Sequence, residues 1–492
     1  MTHYIPRTKP FEHQGKATLA AARARNYGIF FEPRLGKTKA ALDTVGVHAL
    51  AGRVSRVLVL CPSIAKDVWA DQIEKHYPFD SYCEDFEQRW ENIYPLVAGV
   101  TIPWAVTRFF IAGREETFRR TRDSDGHYLR PKQRLLEKYD PDLIIIDESH
   151  EYQRPGGVGA QDCWRLVRRL RVDRARRTST RNGEKLQPWV LLLSGTPNPK
   201  GWRPLFAQFR IMDETLMGTD VGSFDDRHVQ YGHGRRRWTI IKYKQLPRLE
   251  RILRENSFAI SAEEAGLANK IFLQKLTYSI PPRAASMYLN MVTEFVAEWE
   301  EGVLTAKNAG VKRLRLLQIL GGFTTDGQLI HGAAQARLKA YVELLLEQGE
   351  SCVVYSRFTP EVQAATETLE RVGFRTFRVD GATPRETRRM ATRSLAQRPD
   401  RPTAISAQVQ SLSQAVELVG AAEVIYMGVP DGWTQYFQTS RRVMGPNQHR
   451  PVRLTFITVP GSVHNLQMHS LKRKENWHQQ LMRDPRRYLT GL

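Results

Sequence analysis

Short apolar runs recur along this chain, each followed by a polar or small-residue turn and then by a helical pattern. The runs are Val57-Leu58-Val59-Leu60, Leu143-Ile144-Ile145-Ile146, Val190-Leu191-Leu192-Leu193, Cys352-Val353-Val354-Tyr355, Val424-Ile425-Tyr426-Met427 and Leu454-Thr455-Phe456-Ile457. Continuous runs this short predict strands buried on both faces, the mark of a parallel sheet under helices. One helix is well signalled, with Thr359 as N-cap, Pro360 at the first position, apolar positions through Leu369 and Gly373 as stop. Alternation of this kind predicts an α/β fold. The runs form two groups, and residues 201–335 between them read as mostly helical and polar. Two α/β domains with a cleft between them are expected, over 1–212 and 335–460. A mainly helical connecting region, 213–334, and a basic helical tail, 461–492, complete the expectation.

The length, 492 residues, allows about three units at roughly 150 residues each. A hydrophobic fraction of 41%, with 10 Trp, 17 Tyr and 20 Phe, suffices for sizeable cores and excludes a disordered or collagen-like chain. No fixed-period repeat is present, so solenoids drop out. Lys and Arg total 73 against 52 Asp and Glu, a net charge of +21 that points to a polyanionic partner, most simply nucleic acid. Residues 165–185 hold eight Arg and one Lys against Asp173 and Glu184. Arg235-Arg236-Arg237-Trp238 is a second cluster, and Lys472-Arg473-Lys474 with Arg483, Arg486 and Arg487 a third. One such cluster reads equally well as a solvated face; three favour a phosphate-tracking surface. Cys61, Cys83, Cys163 and Cys352 lie far apart without a C-x-x-C pair, against a disulfide framework or a Cys-type zinc site. The first residues lack an apolar h-region and no apolar run approaches membrane-spanning length, so a cytoplasmic protein is expected.

Candidate chemistry begins after a strand over Tyr27 to Phe31. Gly36-Lys37-Thr38 opens a helix expected over Lys39 to Leu50. Backbone N–H groups at a helix N-terminus cradle phosphates, a Lys reaches the β/γ-phosphates and a hydroxyl ligates Mg²⁺. The full phosphate-loop pattern wants Gly five residues before Gly36, where Phe31 stands. Leu143–Ile146 then delivers Asp147-Glu148-Ser149-His150 at a strand's carboxyl end, where α/β ligand sites lie. Hydrolysing a phosphoanhydride needs one carboxylate on Mg²⁺ and a second positioning water, which suits Asp147 and Glu148. Ser194-Gly195-Thr196-Pro197 follows the next strand in the same way.

With these motifs the chain resembles the superfamily-two helicases, specifically the Swi/Snf-type translocases on duplex DNA, most like compact phage or bacterial members. Leu35–Thr38 resembles motif I, Val59–Pro62 with Trp69 motif Ia, Asp147–His150 the D-E-x-H box and Ser194–Pro197 motif III. Lys9–Gln14 is similar to the upstream segment whose Gln contacts adenine. Val353–Thr359 resembles motif IV, Val379–Thr383 with Arg388 a stretch typical of the subgroup, and Gln438–Gln448 motif VI. The resemblance implies two RecA-like domains, ATP and Mg²⁺ as cofactors, and DNA as partner. It gives Gln14 the adenine, Gly36, Lys37 and Thr38 the phosphates, Thr38 and Asp147 the Mg²⁺, and Glu148 the role of base. His150, Ser194 and Thr196 would couple nucleotide state to the nucleic-acid grip. Gln438 and Arg442 of motif VI would act on the γ-phosphate. Arg168, Arg169, Arg235, Arg236, Arg357 and Arg388 are candidate nucleic-acid contacts.

The chain departs from the pattern in three places. Gly445 stands where the family has a second arginine, with Arg441 as neighbour. Ser411-Leu412-Ser413 stands where motif V has glycines, and Arg34 replaces a glycine in motif I. An alternative reading is therefore a nucleic-acid-binding protein on a catalytically weakened scaffold; a terminase-like packaging ATPase ranks last, for want of a nuclease-like carboxylate cluster. Apart from His150 the histidines, His13 among them, read as surface or packing residues. Trp433, Tyr436 and Phe437 read as core, and Arg313 and Arg315 as the polar face of a buried helix.

Overall fold

The computed structural model describes residues 4–86, 89–92, 106–122, 128–129, 131–177, 188–195, 201–232, 239–301, 306–412 and 417–473. Thr196, Arg235, Arg236, Ser413 and most of the basic tail lie outside these residues. The chain divides into two compact units, Met1–Leu267 and Ala268–Leu492. Every one of the six apolar runs is a strand.

In the first unit α1 (Glu12–Ala24) leads into β1 (Tyr27–Phe31), α2 (Lys37–Leu50), β2 (Arg56–Cys61), α3 (Lys66–His76), β3 (Ser81–Glu84), β4 (Arg89–Asn92) and β5 (Thr107–Gly113). There follow β6 (Leu143–Ile146), α4 (Val158–Arg177), β7 (Trp189–Leu193), α5 (Trp202–Met212) and, after smaller elements, β8 (Ser257–Ile260). The sheet order is β8-β1-β7-β6-β2-β5-β3-β4, parallel throughout except for the β3–β4 pair. Strands β1, β6 and β7 are buried at every position, as apolar runs without a polar face require. Leu58, Ile144 and Leu192 of the sheet share a core with Leu166 of α4 and Phe206 and Phe209 of α5.

Residues 213–267, expected in the connecting region, contribute β8 to this sheet, where Gly28 pairs with Ser257 and Phe31 with Ile260. Residues 268–334 fall in the second unit, which opens on β9 (Ile271–Thr277), α6 (Pro282–Glu300), α7 (Ala306–Gly321) and α8 (Ala333–Glu347). Then come β10 (Cys352–Ser356), α9 (Thr359–Val372), β11 (Arg375–Val379), β12 (Thr403–Gln408), β13 (Glu423–Met427), α10 (Trp433–Ser440), β14 (Val452–Thr458) and α11 (Val463–Arg473). The sheet is fully parallel, in the order β9-β14-β13-β10-β12-β11. Edge strand β9 pairs only with β14 and leaves Ile271, Phe272 and Leu273 exposed, Leu273 at 64%. Tyr436 and the buried Phe437 of α10 pack in the unit. No helix among the described residues is long and apolar enough to cross a membrane.

Helix α9 corrects one expectation. Its N-cap is Phe358, not Thr359, and Gly373 ends it with φ 114°. The exposed amides at its start are met from inside the helix: Glu361 Oε2 accepts from Arg357 N (3.0 Å) and Phe358 N (3.2 Å). Thr359 lacks the cap role because Glu361 performs it. Burial pushes the Glu361 carboxyl up from 4.5 to about 7 against the pull of those two amides.

A stability effect with a definite sign follows. Between about 4.5 and about 7 the folded chain holds a proton at Glu361 that the unfolded chain has released, so stability falls as pH rises through that window. Glu361→Gln should remove this contribution, worth on the order of 1–3 kcal/mol. Thermal unfolding of both proteins across the window tests it; parallel pH profiles would refute it.

Candidate active site

Three loops meet at the carboxyl ends of the adjacent strands β1, β7 and β6. The first leaves β1 at Glu32, whose N–H donates to Ile260 O (3.0 Å) and whose Oε2 accepts from Ala262 N (3.1 Å), so the end of β8 braces it. Arg34 holds φ 78° and Gly36 φ 80°. A non-glycine residue in this region costs roughly 1–2 kcal/mol, so replacing the family's glycine with Arg34 is tolerated at an energetic cost. At Gly36 no side chain fits, because a Cβ would lie 2.2 Å from Gln14 Nε2.

Gln14 lies across the loop rather than standing clear of it. Its Nε2 donates to Leu35 O (2.9 Å), and its Oε1 accepts from Phe11 N (3.0 Å). His13 Nε2 donates to the same Leu35 carbonyl at 2.8 Å, a role the packing assignment did not foresee. Helix α2 begins at Lys37, two residues earlier than expected. That places the amides of Lys37 and Thr38 in its first turn, where N–H groups have no partner within the helix. Lys39 is committed elsewhere, in a buried ion pair with Asp43, which also accepts from Tyr4 Oη (2.8 Å).

The second loop carries the carboxylates. Asp147 N donates to Leu60 O (2.8 Å), continuing the β6–β2 ladder. Its two carboxylate oxygens are separately held: Oδ2 accepts from Trp69 Nε1 of α3 (3.0 Å) and Oδ1 from Glu148 N (2.9 Å). Burial and the charge of Glu148 push the Asp147 carboxyl up to about 6, opposed by Lys37 and the Trp69 bond. Glu148 itself takes φ 50°, a strained backbone at the start of the acidic turn. Hard oxygen donors, the Asp147 carboxylate and Thr38 hydroxyl, match Mg²⁺. Two adjacent carboxylates that resist joint ionisation are also what a cation would relieve.

His150 joins the second loop to the third. Its Nδ1 lies 3.2 Å from both Glu148 Oε2 and Ser194 Oγ, and its Nε2 3.7 Å from Glu151 Oε1. Burial opposes the imidazolium, but the Glu148 hydrogen bond and the two carboxylate charges outweigh it and raise the pKa. A Cβ on Gly195 would meet Pro33 Cδ at 2.9 Å, so the third loop packs on the first. Ser149 Oγ donates to Gln208 Oε1 (2.8 Å), anchoring the acidic turn to α5.

In the second unit Gln438 lies on α10, followed by a short turn of 3₁₀-helix over Arg441–Val443. Arg442 is only 5% exposed, and its carbonyl accepts from Leu418 N (2.9 Å). Arg441 is half-buried with its guanidinium over the Phe437 ring. Gly445 has φ 137°, a conformation that excludes most side chains. Asn269 pins the segment by accepting from Gly445 N (3.0 Å) and donating to Gln448 O (2.7 Å). Gln448 Nε2 in turn donates to the carbonyls of Val419, Ala421 and Val443.

No protein-family model matches the chain. Over 203 residues, 41% of the chain, it is 26% identical to RNA polymerase-associated protein RapA of Photobacterium profundum, and it spans 18% of that relative's length. Among solved structures, the helicase MrfA bound to DNA matches with a TM-score of 0.55 at 12% identity, covering 95% of this chain and 51% of that one. The Sulfolobus solfataricus SWI2/SNF2 ATPase core in complex with dsDNA covers 100% of this chain and 99% of that one, at 14% identity and a TM-score of 0.41. The chain has a helicase-core fold.

Within that helicase core, several of the candidate nucleic-acid contacts also have partners inside the fold. Arg357 pairs with Asp431 and donates to Val429 O (2.9 Å). Arg388 donates to Asp380 O (3.1 Å) and closes the 380–383 loop. Arg169 reaches Gln133 Oε1 (2.6 Å) and Glu137 (3.2 Å). Arg168 is exposed, its guanidinium over the Trp164 ring. The helicase core also uses residues that sequence reasoning gave no role: Trp69, Gln208, Asn269 and Gln448. Trp69 carried a signal as part of the motif Ia resemblance and Gln448 as the last residue of the motif VI stretch; Gln208 and Asn269 are single polar residues placed only by the fold.

Trp69→Phe keeps the ring and removes the donor to Asp147. Nucleotide affinity in the presence of Mg²⁺ should fall roughly 10- to 100-fold, the usual cost of losing a group that orients a metal ligand. Affinity measured in EDTA should not change, and equal losses in both conditions would refute the assignment. Gly445→Arg should lower unfolding stability by roughly 1–3 kcal/mol because φ 137° is strained for arginine. An unchanged denaturation midpoint would show that the segment relaxes.

Proposed function

We propose that this protein is an ATP-dependent DNA translocase, coupling Mg-ATP hydrolysis to movement along duplex DNA. The observation that carries the reading is the His150 link. One imidazole nitrogen lies within 3.2 Å of both the base candidate Glu148 and Ser194 of the neighbouring strand end. A change at the γ-phosphate that shifts Glu148 would thus be felt at the third loop. Lys37 and the first amides of α2 would hold phosphates, and Gln14, tied to Leu35, would brace the loop and face the base. Asp147 and Thr38 would hold Mg²⁺, which when bound offsets phosphate charge. Glu148 would orient water and accept its proton, and Thr196 would extend the coupling loop. The second unit would supply Gln438 and an arginine, Arg442 or its more accessible neighbour Arg441. Backbone contacts rather than base reading suit a net charge of +21.

The second reading, a nucleic-acid-binding protein on a weakened scaffold, is favoured by one observation: Arg442 is buried and Gly445 has no side chain to offer. Steady-state hydrolysis separates the two, measured without nucleic acid and with single-stranded DNA, duplex DNA or RNA. The translocase reading expects strong stimulation by duplex DNA. Glu148→Gln should lower turnover roughly 100- to 10,000-fold, the usual contribution of a general base. Lys37→Ala should abolish nucleotide binding. Duplex affinity should fall with salt at a slope of about −0.9 per neutralised phosphate. Negligible turnover with intact, salt-sensitive DNA binding would establish the second reading instead.

A further inference from the structure

A groove of about 410 Å³ lies between α4 and the end of α5. It sits at the amino ends of the strands, beside Asn26 just before β1, whereas the phosphate loop leaves the carboxyl end of that strand. One face of α4 lines it, with Trp164, Arg168, Arg171 and Ala175 spaced three or four residues apart and Val172 beside Arg171. Arg210 of α5 completes the basic wall, its guanidinium 3.8 Å from the Trp164 ring centroid and that of Arg168 5.4 Å from it.

Among the described residues no carboxylate forms an ion pair with Arg168, Arg171 or Arg210, although Asp213 and Glu214 lie near enough to act on Arg171, and Glu214 and Asp220 on Arg210. Arg171 donates only to neutral acceptors, Pro188 O (3.3 Å), Asn26 Oδ1 (3.2 Å) and Met212 O (2.8 Å). Arg210 has a buried Nε without a hydrogen-bond partner among the described residues. Burial and the nearby charges of Arg165 and Arg168 depress its pKa, offset in part by Glu214 and Asp220. Beside this charge the floor is apolar: Val172 is 41% exposed and Ala175 is exposed with it. The two carboxylates at the rim are occupied, Asp213 in capping Thr215 N (2.9 Å) and Glu214 in accepting from Trp164 Nε1 (3.0 Å).

An anion is therefore wanted, but not a phosphodiester chain. Asp213 and Glu214 keep their charge although each accepts a hydrogen bond, so the three arginines retain a surplus that suits one anion rather than a run of phosphates, and the apolar floor has nothing to gain from such a run. A single carboxylate flanked by an apolar side chain satisfies both walls. We propose that the groove is a docking site for an acidic–apolar segment of a partner protein, its carboxylate set between Arg168 and Arg210 and its apolar side chain on Val172 and Ala175. The site is remote from the nucleotide loops, so this reading stands apart from the translocase assignment.

The test is selection of a phage-displayed random-peptide library on the full chain, followed by fluorescence anisotropy of the selected sequences as labelled synthetic peptides. Selected peptides should pair Asp or Glu with Leu, Ile, Val or Phe. Arg210→Glu and Val172→Asp should each weaken them at least roughly tenfold while DNA-stimulated hydrolysis stays unchanged. Val172 is exposed, so its variant remains decisive even if Arg210→Glu lowers the melting temperature. Peptides without an acidic–apolar pattern, or peptides that bind both variants like the parent, would overturn the proposal. So would displacement of the peptide by duplex DNA together with loss of duplex affinity in Arg210→Glu, which would make the groove a nucleic-acid surface.

Discussion

The candidate site of the first unit depends on parallel register. Ile29 pairs with Leu193, and Leu192 with Ile146, so β1, β7 and β6 end nearly level and deliver their loops to one place. Because side chains alternate across a strand, a slip of one residue would turn Ser194 or Asp147 to the wrong face. Complete burial of the three strands resists such a slip. The loops then lock onto one another through Gly195 on Pro33 and His150 on Ser194. Neither contact is strong alone; together they tie the three loops to one another.

A second layer of residues holds that geometry while its chemistry stays unsatisfied. Asp147 and Glu148 are neighbouring acids in a buried setting, and the Asp147 carboxyl rises accordingly. Trp69, the Glu148 amide and the link from Ser149 to Gln208 fix the turn in spite of that repulsion. Strain is stored in the same region, at Arg34 and Glu148. The acidic pair would gain from a cation, whose charge offsets the repulsion the fold confines.

The short continuous apolar runs were legible because buried parallel strands have no polar face to confuse the pattern. Strands β8 and β9 were not, since Ser257–Ile260 and Ile271–Thr277 lie at sheet edges and mix exposed with buried positions. Their positions change the organisation, because residues expected to connect the two sheets instead complete each of them. The acidic pair, the phosphate loop and Ser194 were readable from their place after strands, and the structure brings them together. Side-chain braces were not readable: nothing in local sequence distinguishes Arg174, which staples α4 to a main-chain carbonyl, from Arg168, which lines a groove. Charge counting alone therefore overstates the surface available for phosphates.

Strand β9 carries a further consequence. It completes the second sheet from one side only, and Ile271, Phe272 and Leu273 stand exposed on it. An unpaired edge with apolar side chains is a template for another chain's strand. Dissecting the protein at Ala268 to study the second unit alone would leave that edge as its opening segment. Such a fragment would be prone to dimerise or precipitate with rising concentration, for reasons unrelated to the stability of its fold.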